Sequence, residues 1–366
     1  MRVKCAAYHA YEALKYGGVM TQSPLKIAQV IAGASHGGAE SFYTRLVCGL
    51  TQAPELKQHA FLRPHPDRIN TLKEHGVATS NFRFGGPLDI YDSWRFRRQL
   101  RQWQPDIVLT WMSRASSAVP RGDYLLINRL GSYYNLKHYR QADYWIGISQ
   151  GICDYLIEGG IPAERVIHIP NFADEREVTA LPRSSFETPE HRPILLAAGR
   201  LHKVKGFDIL LSALAKVPEP ILWLAGTGPE EKALKEQCHA LRLTDRVRFL
   251  GWRNDVPSLM RTADAFVCSS RHEGLGSIVL ESWLHHCPII STRAQGPQEL
   301  ITHEKNGLLS PIDDADSLSE AIIRVLSEPK LRHSLITAGV TLYHTQYSED
   351  SILKAYRDFF SRICTR

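Results

Sequence analysis

A chain of 366 residues with 43% hydrophobic and 22% charged residues is globular rather than disordered or fibrous, and long enough for two cores of about 150 to 180 residues each. No run approaches the ~18 to 20 apolar residues that cross a bilayer, and the seven scattered cysteines form no C-x-x-C pair, so free thiols in a reducing cytoplasm are expected. The net charge of +6 is uneven: residues before Leu181 hold 21 Lys and Arg against 16 Asp and Glu, the remainder 23 against 22. Either surface charge varies at random, or the first half meets something acidic, such as lipid headgroups or a phosphorylated acceptor.

Residues 1–24 carry no clear periodicity and read as an N-terminal extension. The first strand is expected at Lys26–Ala32, after Pro24, followed by a helix over Ala39–Leu50, an apolar run at His59–Leu62 and a helix near Ser93–Gln102. Strand-like runs follow at Asp106–Thr110, Tyr124–Asn128 and Tyr144–Ile148. Strands alternating with helices imply right-handed crossovers and a parallel sheet. Between Asn171 and Pro193 the chain turns charged and rich in Pro and Ser, so residues 25–180 read as one domain and 181–193 as a linker. A second alternation, over residues 194–347, has strands expected at Ile194–Ala198, Ile221–Ala225, Val247–Leu250, Ala265–Cys268 and Ile289–Ser291. The helix from Ser348 to about Ser361, within residues 348–366, is placed to cross back to the first domain. The fold class is α/β, two Rossmann-like parallel-sheet domains facing across a cleft.

Ligands collect at the carboxyl ends of parallel strands, and there the second domain's first strand runs into Gly199-Arg200-Leu-His-Lys-Val-Lys205-Gly206. A guanidinium and an ammonium at that place would neutralise a pyrophosphate leaving group without a metal; alone they would equally suit a basic surface loop. The turn Ala225-Gly-Thr-Gly-Pro229 fits either close approach to a ligand or a tight corner. Asp255, ahead of a helix starting near Val256, reads as an N-cap. The most informative segment is Ser269-Ser-Arg-His-Glu273-Gly-Leu-Gly-Ser-Ile-Val-Leu-Glu281, a strand end, a Gly-rich loop and a helix start near Gly276 or Ser277. The helix N-terminus favours phosphate oxygens, and two carboxylates at different depths of one cleft could each accept hydrogen bonds from sugar hydroxyls.

Those motifs, with Gly37-Gly38-Ala39-Glu40 after the first strand and Asp264 ahead of a later one, resemble in order and spacing the family 4 retaining glycosyltransferases of GT-B fold, from Lys26 to Phe360. The resemblance implies a nucleoside diphosphate sugar donor, UDP-linked, and a hydroxyl of a glycan or glycolipid as acceptor. It implies that Arg200 and Lys205 bind the donor diphosphate, Glu281 the ribose and Glu273 the transferred sugar, with backbone amides over Gly274, Leu275, Gly276 and Ser277 assisting. Gly37 and Gly38 would let the first domain's loop approach the phosphates. Catalysis would rest on Arg200, Lys205 and Glu273.

The sequence departs from the family at a histidine that many relatives carry near the reacting sugar. The stretch here reads Ile127-Asn-Arg-Leu-Gly-Ser132, which leaves Asn128, Arg129 or the offset His138 as acceptor-side candidates. A same-face transfer in which the leaving phosphate takes the acceptor's proton needs no enzyme base. Asp313-Asp314, after Pro311 and near a helix start, reads as helix capping rather than as a metal signature, and no metal or other cofactor is expected.

Trp94-Arg-Phe-Arg-Arg-Gln-Leu-Arg-Gln-Trp103 fits two readings. One is a helix lying on an anionic membrane; the other is a sheet-packing helix with Trp94, Leu100 and Phe96 inward. No nucleic-acid motif accompanies it. The expected location is cytoplasmic, peripheral to the inner face of the membrane, in bacterial polysaccharide or lipopolysaccharide synthesis. A sugar-nucleotide epimerase and a non-catalytic nucleotide-sugar or lipid-binding partner are the competing readings.

Overall fold

The computed structural model describes residues 23–35, 37–85 and 89–365, so the extension read over residues 1–24 lies outside it except for Ser23 and Pro24. The described residues form two parallel sheets. The first contains β1 (Leu25–Ile31), β2 (Leu56–Leu62), β3 (Ala78–Asn81), β4 (Ile107–Trp111), β5 (Leu125–Leu130), β6 (Tyr144–Gly147) and β7 (Val166–His168) in the order β3-β2-β1-β4-β5-β6-β7. Its helices are α1 (Gly38–Gly49), α2 (Pro66–Glu74), α3 (Ile90–Trp103), α4 (Met112–Ala118) and α5 (Gln150–Glu158). The second contains β8 (Ile194–Ala198), β9 (Ile221–Ala225), β10 (Val247–Gly251), β11 (Ala265–Cys268), β12 (Ile289–Thr292) and β13 (Leu308–Ser310) in the order β10-β9-β8-β11-β12-β13. Its helices are α6 (Phe207–Leu214), α7 (Glu231–Ala240), α8 (Val256–Thr262), α9 (Ser277–Leu284), α10 (Gln295–Leu300), α11 (Ala315–Ser327) and α12 (Pro329–Leu342).

Strands buried on both faces are almost continuously apolar. Ile107–Trp111 and Ile221–Ala225 are buried at every position. On one face of the first sheet, Phe96 and Leu100 of α3 pack with Ala28, Val30 and Phe61. On the other, Phe42, Tyr43 and Leu46 of α1 meet Ile27 and Ile31, and the last helix, α13 (Glu349–Cys364), adds Ile352, Tyr356, Phe359 and Phe360. The chain therefore returns to its first domain, through a π-helical turn at Tyr343–Tyr347.

Residues 181–193 do not hang free between the domains. Leu181 N donates to Thr262 Oγ1 at 2.8 Å, Arg183 pairs with Asp264 at 2.8 Å, and Trp223 Nε1 donates to Thr188 Oγ1 at 2.8 Å. The segment is stitched to the second domain, and Asp264 also accepts from Ile194 N at 2.8 Å. Asp255 stands at the N-cap position of α8, but makes no cap bond because its carboxylate is held by Arg253. Asp314 does cap α11, accepting from Ser317 N at 2.9 Å.

The domains touch along an apolar seam in which Trp145, Ile148 and Ile152 join one cluster with Leu275, Val279 and Leu300. Polar contacts close its ends. Glu299 of α10 accepts from Gln150 N at 2.8 Å and Gly151 N at 2.9 Å, capping α5 across the seam. Tyr343 OH donates to Glu175 Oε1 at 2.9 Å, and Glu349 N donates to the same oxygen at 2.7 Å. The outgoing crossover and the returning one are thus bonded to each other.

Candidate functional site

Strands β8 and β11 are neighbours, so the loops at their carboxyl ends lie side by side. They are joined by backbone as well as side chains. Arg271 N donates to Val204 O at 2.8 Å, and Ser269 Oγ donates to Lys205 O at 2.9 Å. Gly206, at φ +62°, is required here, because a Cβ on it would stand 2.0 Å from Ser269 O. Arg271 locks the pair from outside, gripping Asp208 through both Nη atoms at 2.9 and 2.7 Å and Asp313 Oδ1 at 2.6 Å. Asp313 therefore serves this lock rather than a helix cap. On the other side, the Ala225–Pro229 turn leans on the same loop, with Leu201 N donating to Thr227 O at 3.0 Å.

This stitching brings the two residues predicted from separate motifs into contact. Lys205 Nζ forms an ion pair with Glu273 Oε1, and Ser270 Oγ donates to that oxygen at 2.8 Å. Burial pulls the Lys205 pKa down, but the Glu273 carboxylate and the Cys268 thiol beside it prevail and hold it above the ordinary lysine value. Arg200 is exposed just beyond β8 and makes no hydrogen bond or ion pair among the described residues. One fixed cation and one unengaged cation thus stand on the loop that follows β8, beside the loop that follows β11.

The loop after Glu273 enters α9 through Gly276, which is at φ +74°. Gly274 approaches the first domain so closely that a Cβ would lie 2.5 Å from Gly131 O. Leu275 is buried in the seam. Ser277 opens α9 and its Oγ accepts from Asn171 Nδ2 at 2.8 Å. Glu281, one turn further on, is half-buried. Burial raises its carboxyl pKa and Asp174 raises it further, while Arg45 of α1 pulls the other way. Glu281 therefore faces the first domain, whereas Glu273 faces Lys205.

At the end of β1, Gly37 and Gly38 open α1; Gly37 has ordinary extended backbone at φ 163°. Glu40 folds back to accept from Ala34 N at 2.8 Å, and the buried Arg68 donates to Ala34 O and Ser35 O, both at 3.0 Å. The loop is pinned by these two charged side chains, and the space over Gly38 is open.

Two acceptor-side candidates are corrected. Asn128 is 1% exposed, accepting from Thr110 Oγ1 at 2.6 Å and donating to Tyr139 O at 3.0 Å. Arg129 is 3% exposed, its guanidinium carbon 4.7 Å from the Phe42 ring centre and 4.4 Å from that of Trp111. Both are enclosed inside the first domain rather than open to the cleft. His138 is exposed and contacts Ser117 Oγ at 3.1 Å.

Sequence reasoning missed Asn171, which lay in what read as the start of a linker, and gave no role to Ser270 or Arg45. The partners of Asn171 and Arg45 are 106 and 127 residues away, beyond any local pattern, whereas Ser270 stands only three residues before Glu273. Among the described residues no group of three or more His, Cys, Asp or Glu is arranged to hold a metal ion.

Residues 181–341 match the family described as Glycosyl transferases group 1. The chain is 33% identical over 341 residues to the lipopolysaccharide core biosynthesis glycosyltransferase LpsD of Rhizobium meliloti, covering 92% of this chain and 98% of that protein. It is also 33% identical over 324 residues to LpsE of the same organism, covering 87% and 94%. Among solved structures, Anabaena Alr3699/HepE in complex with UDP and glucose shares the fold with a TM-score of 0.81, at 21% identity over 92% of this chain and 100% of that one.

Proposed function

This chain belongs to the group 1 glycosyl transferases, with the GT-B fold, and we propose that it moves a sugar from UDP to a hydroxyl of a growing lipopolysaccharide core or related glycolipid, with retention. The observation that carries this reading is the Lys205–Glu273 pair at the joined ends of β8 and β11, with the exposed Arg200 on the same loop. A diphosphate against Arg200, Lys205 and the amides opening α9 would set the attached sugar beside Glu273. The ribose would then meet Glu281. The anomeric carbon–oxygen bond to the β-phosphate breaks as the acceptor oxygen bonds on the same face, and the acceptor's proton passes to the departing phosphate. Lys205 and Arg200 stabilise the charge that develops on that phosphate, so no metal is needed. The acceptor reading follows the named activity of the two Rhizobium meliloti relatives.

We place the enzyme at the cytoplasmic face of a membrane, held by α3. Its inner side is Phe96 and Leu100, whereas Ile90, Tyr91 and Trp94 are 75%, 67% and 54% exposed. The helix packs on the sheet through Phe96 and Leu100 as the packed-helix alternative expected, but Trp94 stands outward, with Arg97, Arg98 and Arg101 on the solvent side. Arg95 is different, donating to Asn81 O and pairing with Asp92 at 3.2 Å. Aromatics beside arginines suit an anionic interface. No described helix is long and apolar enough to span one.

The test is product analysis with UDP-sugars, with and without lipopolysaccharide core acceptors. Transfer with retained anomeric configuration supports the reading. Epimerised nucleotide sugar without acceptor, or binding with no turnover under any acceptor, overturns it.

A further inference from the structure

Arg129 is conspicuous as a buried cation inside the first domain, and its hydrogen bonds lead out of that domain to the donor helix. Its Nε donates to Tyr356 OH of α13 at 2.9 Å, and its Nη2 donates to Asn171 Oδ1. Asn171, itself 6% exposed, donates through Nδ2 to Ser277 Oγ at 2.8 Å. Arginine has only donors, so the atom facing it must be the amide oxygen, and the amide nitrogen must then face Ser277. An amide nitrogen only donates. Ser277 Oγ is therefore an acceptor in this bond, and its own proton is left for another partner. Among the described residues that hydroxyl donates to no protein acceptor, and Ser277 is the first residue of α9, where the amide dipoles favour an anion.

We propose that Asn171 is a positioning residue for the donor diphosphate: anchored by Arg129, it fixes the Ser277 hydroxyl as a donor toward a phosphate oxygen. The chain runs one way, cation to amide to hydroxyl, and each bond polarises the next in a buried setting. It also crosses the domain seam, so the first domain contributes to phosphate binding without touching the ligand. The inference rests on the reading of the α9 N-terminus as the diphosphate site.

The experiment measures UDP and uridine binding by calorimetry, with thermal melting of each variant. Asn171→Ala and Ser277→Ala are each expected to weaken UDP about 5-fold, the size of one net hydrogen bond, and to leave uridine unchanged. The double variant should be no weaker than Ser277→Ala alone. Asn171→Asp separates positioning from mere structure. The isosteric carboxylate keeps the Arg129 bond and the melting temperature, but it can only accept, so it turns the Ser277 proton inward; UDP should weaken at least 10-fold. If Ser277→Ala weakens UDP while both Asn171 variants bind it normally, the positioning role is overturned and the phosphate site stands. Additive losses in the double variant also overturn it. If Ser277→Ala binds UDP normally, the α9 hydroxyl is no phosphate ligand and the inference falls with that reading.

Discussion

Replacing Lys205 with alanine tests the centre of the site. In the free enzyme it leaves Glu273 with the Ser270 hydroxyl as its remaining partner at 2.8 Å. The Lys205 and Glu273 side chains are 26% and 16% exposed, between the surface pairs worth 0 to about 1 kcal/mol and the buried ones whose breakage costs about 3 to 5. A stability loss of about 2 kcal/mol is expected. On the proposed role the transition state would lose more, because charge would grow on the departing phosphate while water is displaced. One missing preorganised donor costs about 2.7 to 4 kcal/mol, a 100- to 1,000-fold fall in kcat. Glu273→Gln added to Lys205→Ala should recover stability without recovering rate. The assay is initial-rate release of UDP at saturating donor, paired with thermal melting. Turnover within a few-fold of wild type in folded Lys205→Ala would refute the leaving-group role.

Glu281 sits with its carboxyl pKa raised by burial, so its stabilising share is present at low pH and lost as pH rises through that folded value. At neutral pH, Glu281→Gln should therefore raise the melting temperature of the free enzyme while weakening UDP; a lower melting temperature would contradict this. His285 has its pKa depressed to about 4, by burial first and then by Arg261. Stability should be full above about pH 6.5, the unfolded imidazole's value, and decline as pH falls toward 4, with His285→Gln flattening that decline in melts across pH. Activity should survive exhaustive chelation, and rescue of a chelated, inactive enzyme by magnesium or manganese would overturn the metal-free reading. Replacing Arg97, Arg98 and Arg101 by Gln should release the protein from anionic vesicles at low salt, with about 1 kcal/mol lost per arginine, and leave UDP binding intact; a wild type that ignores such vesicles ends the membrane proposal.

Elements were legible where burial on both faces made a strand almost continuously apolar, as at Ile107–Trp111, with Thr110 its one polar residue, and Ile194–Ala198. The strand Ala78–Asn81 escaped notice because an edge strand of small polar residues carries no such signal. Lys205 and Glu273 were legible as loop motifs at strand ends, and adjacency of β8 and β11 did the rest. Arg129 was misread for the same reason that made it attractive, a cation near a strand's carboxyl end. Its partner Tyr356 lies 227 residues along the chain, and no local pattern shows that a guanidinium will be enclosed by a helix made so much later. Trp94 follows similar logic: helical periodicity assigns it to either side of α3, and only the position of Phe96 and Leu100 against Phe61 and Val108 turns it outward.

The return of α13 sets an order on the protein's birth. A ribosome releases β1 through β7 long before it makes Ile352, Tyr356, Phe359 and Phe360, which cover one face of that sheet. The domain synthesised first is thus completed last, and its apolar face must wait while the second domain, complete once residue 347 has emerged, folds ahead of it. A stop codon at Glu349 should yield a chain in which protease spares the second domain and digests the first. Fusing anything bulky beyond Cys364 should slow maturation at the opposite end of the sequence from the one that carries the tag.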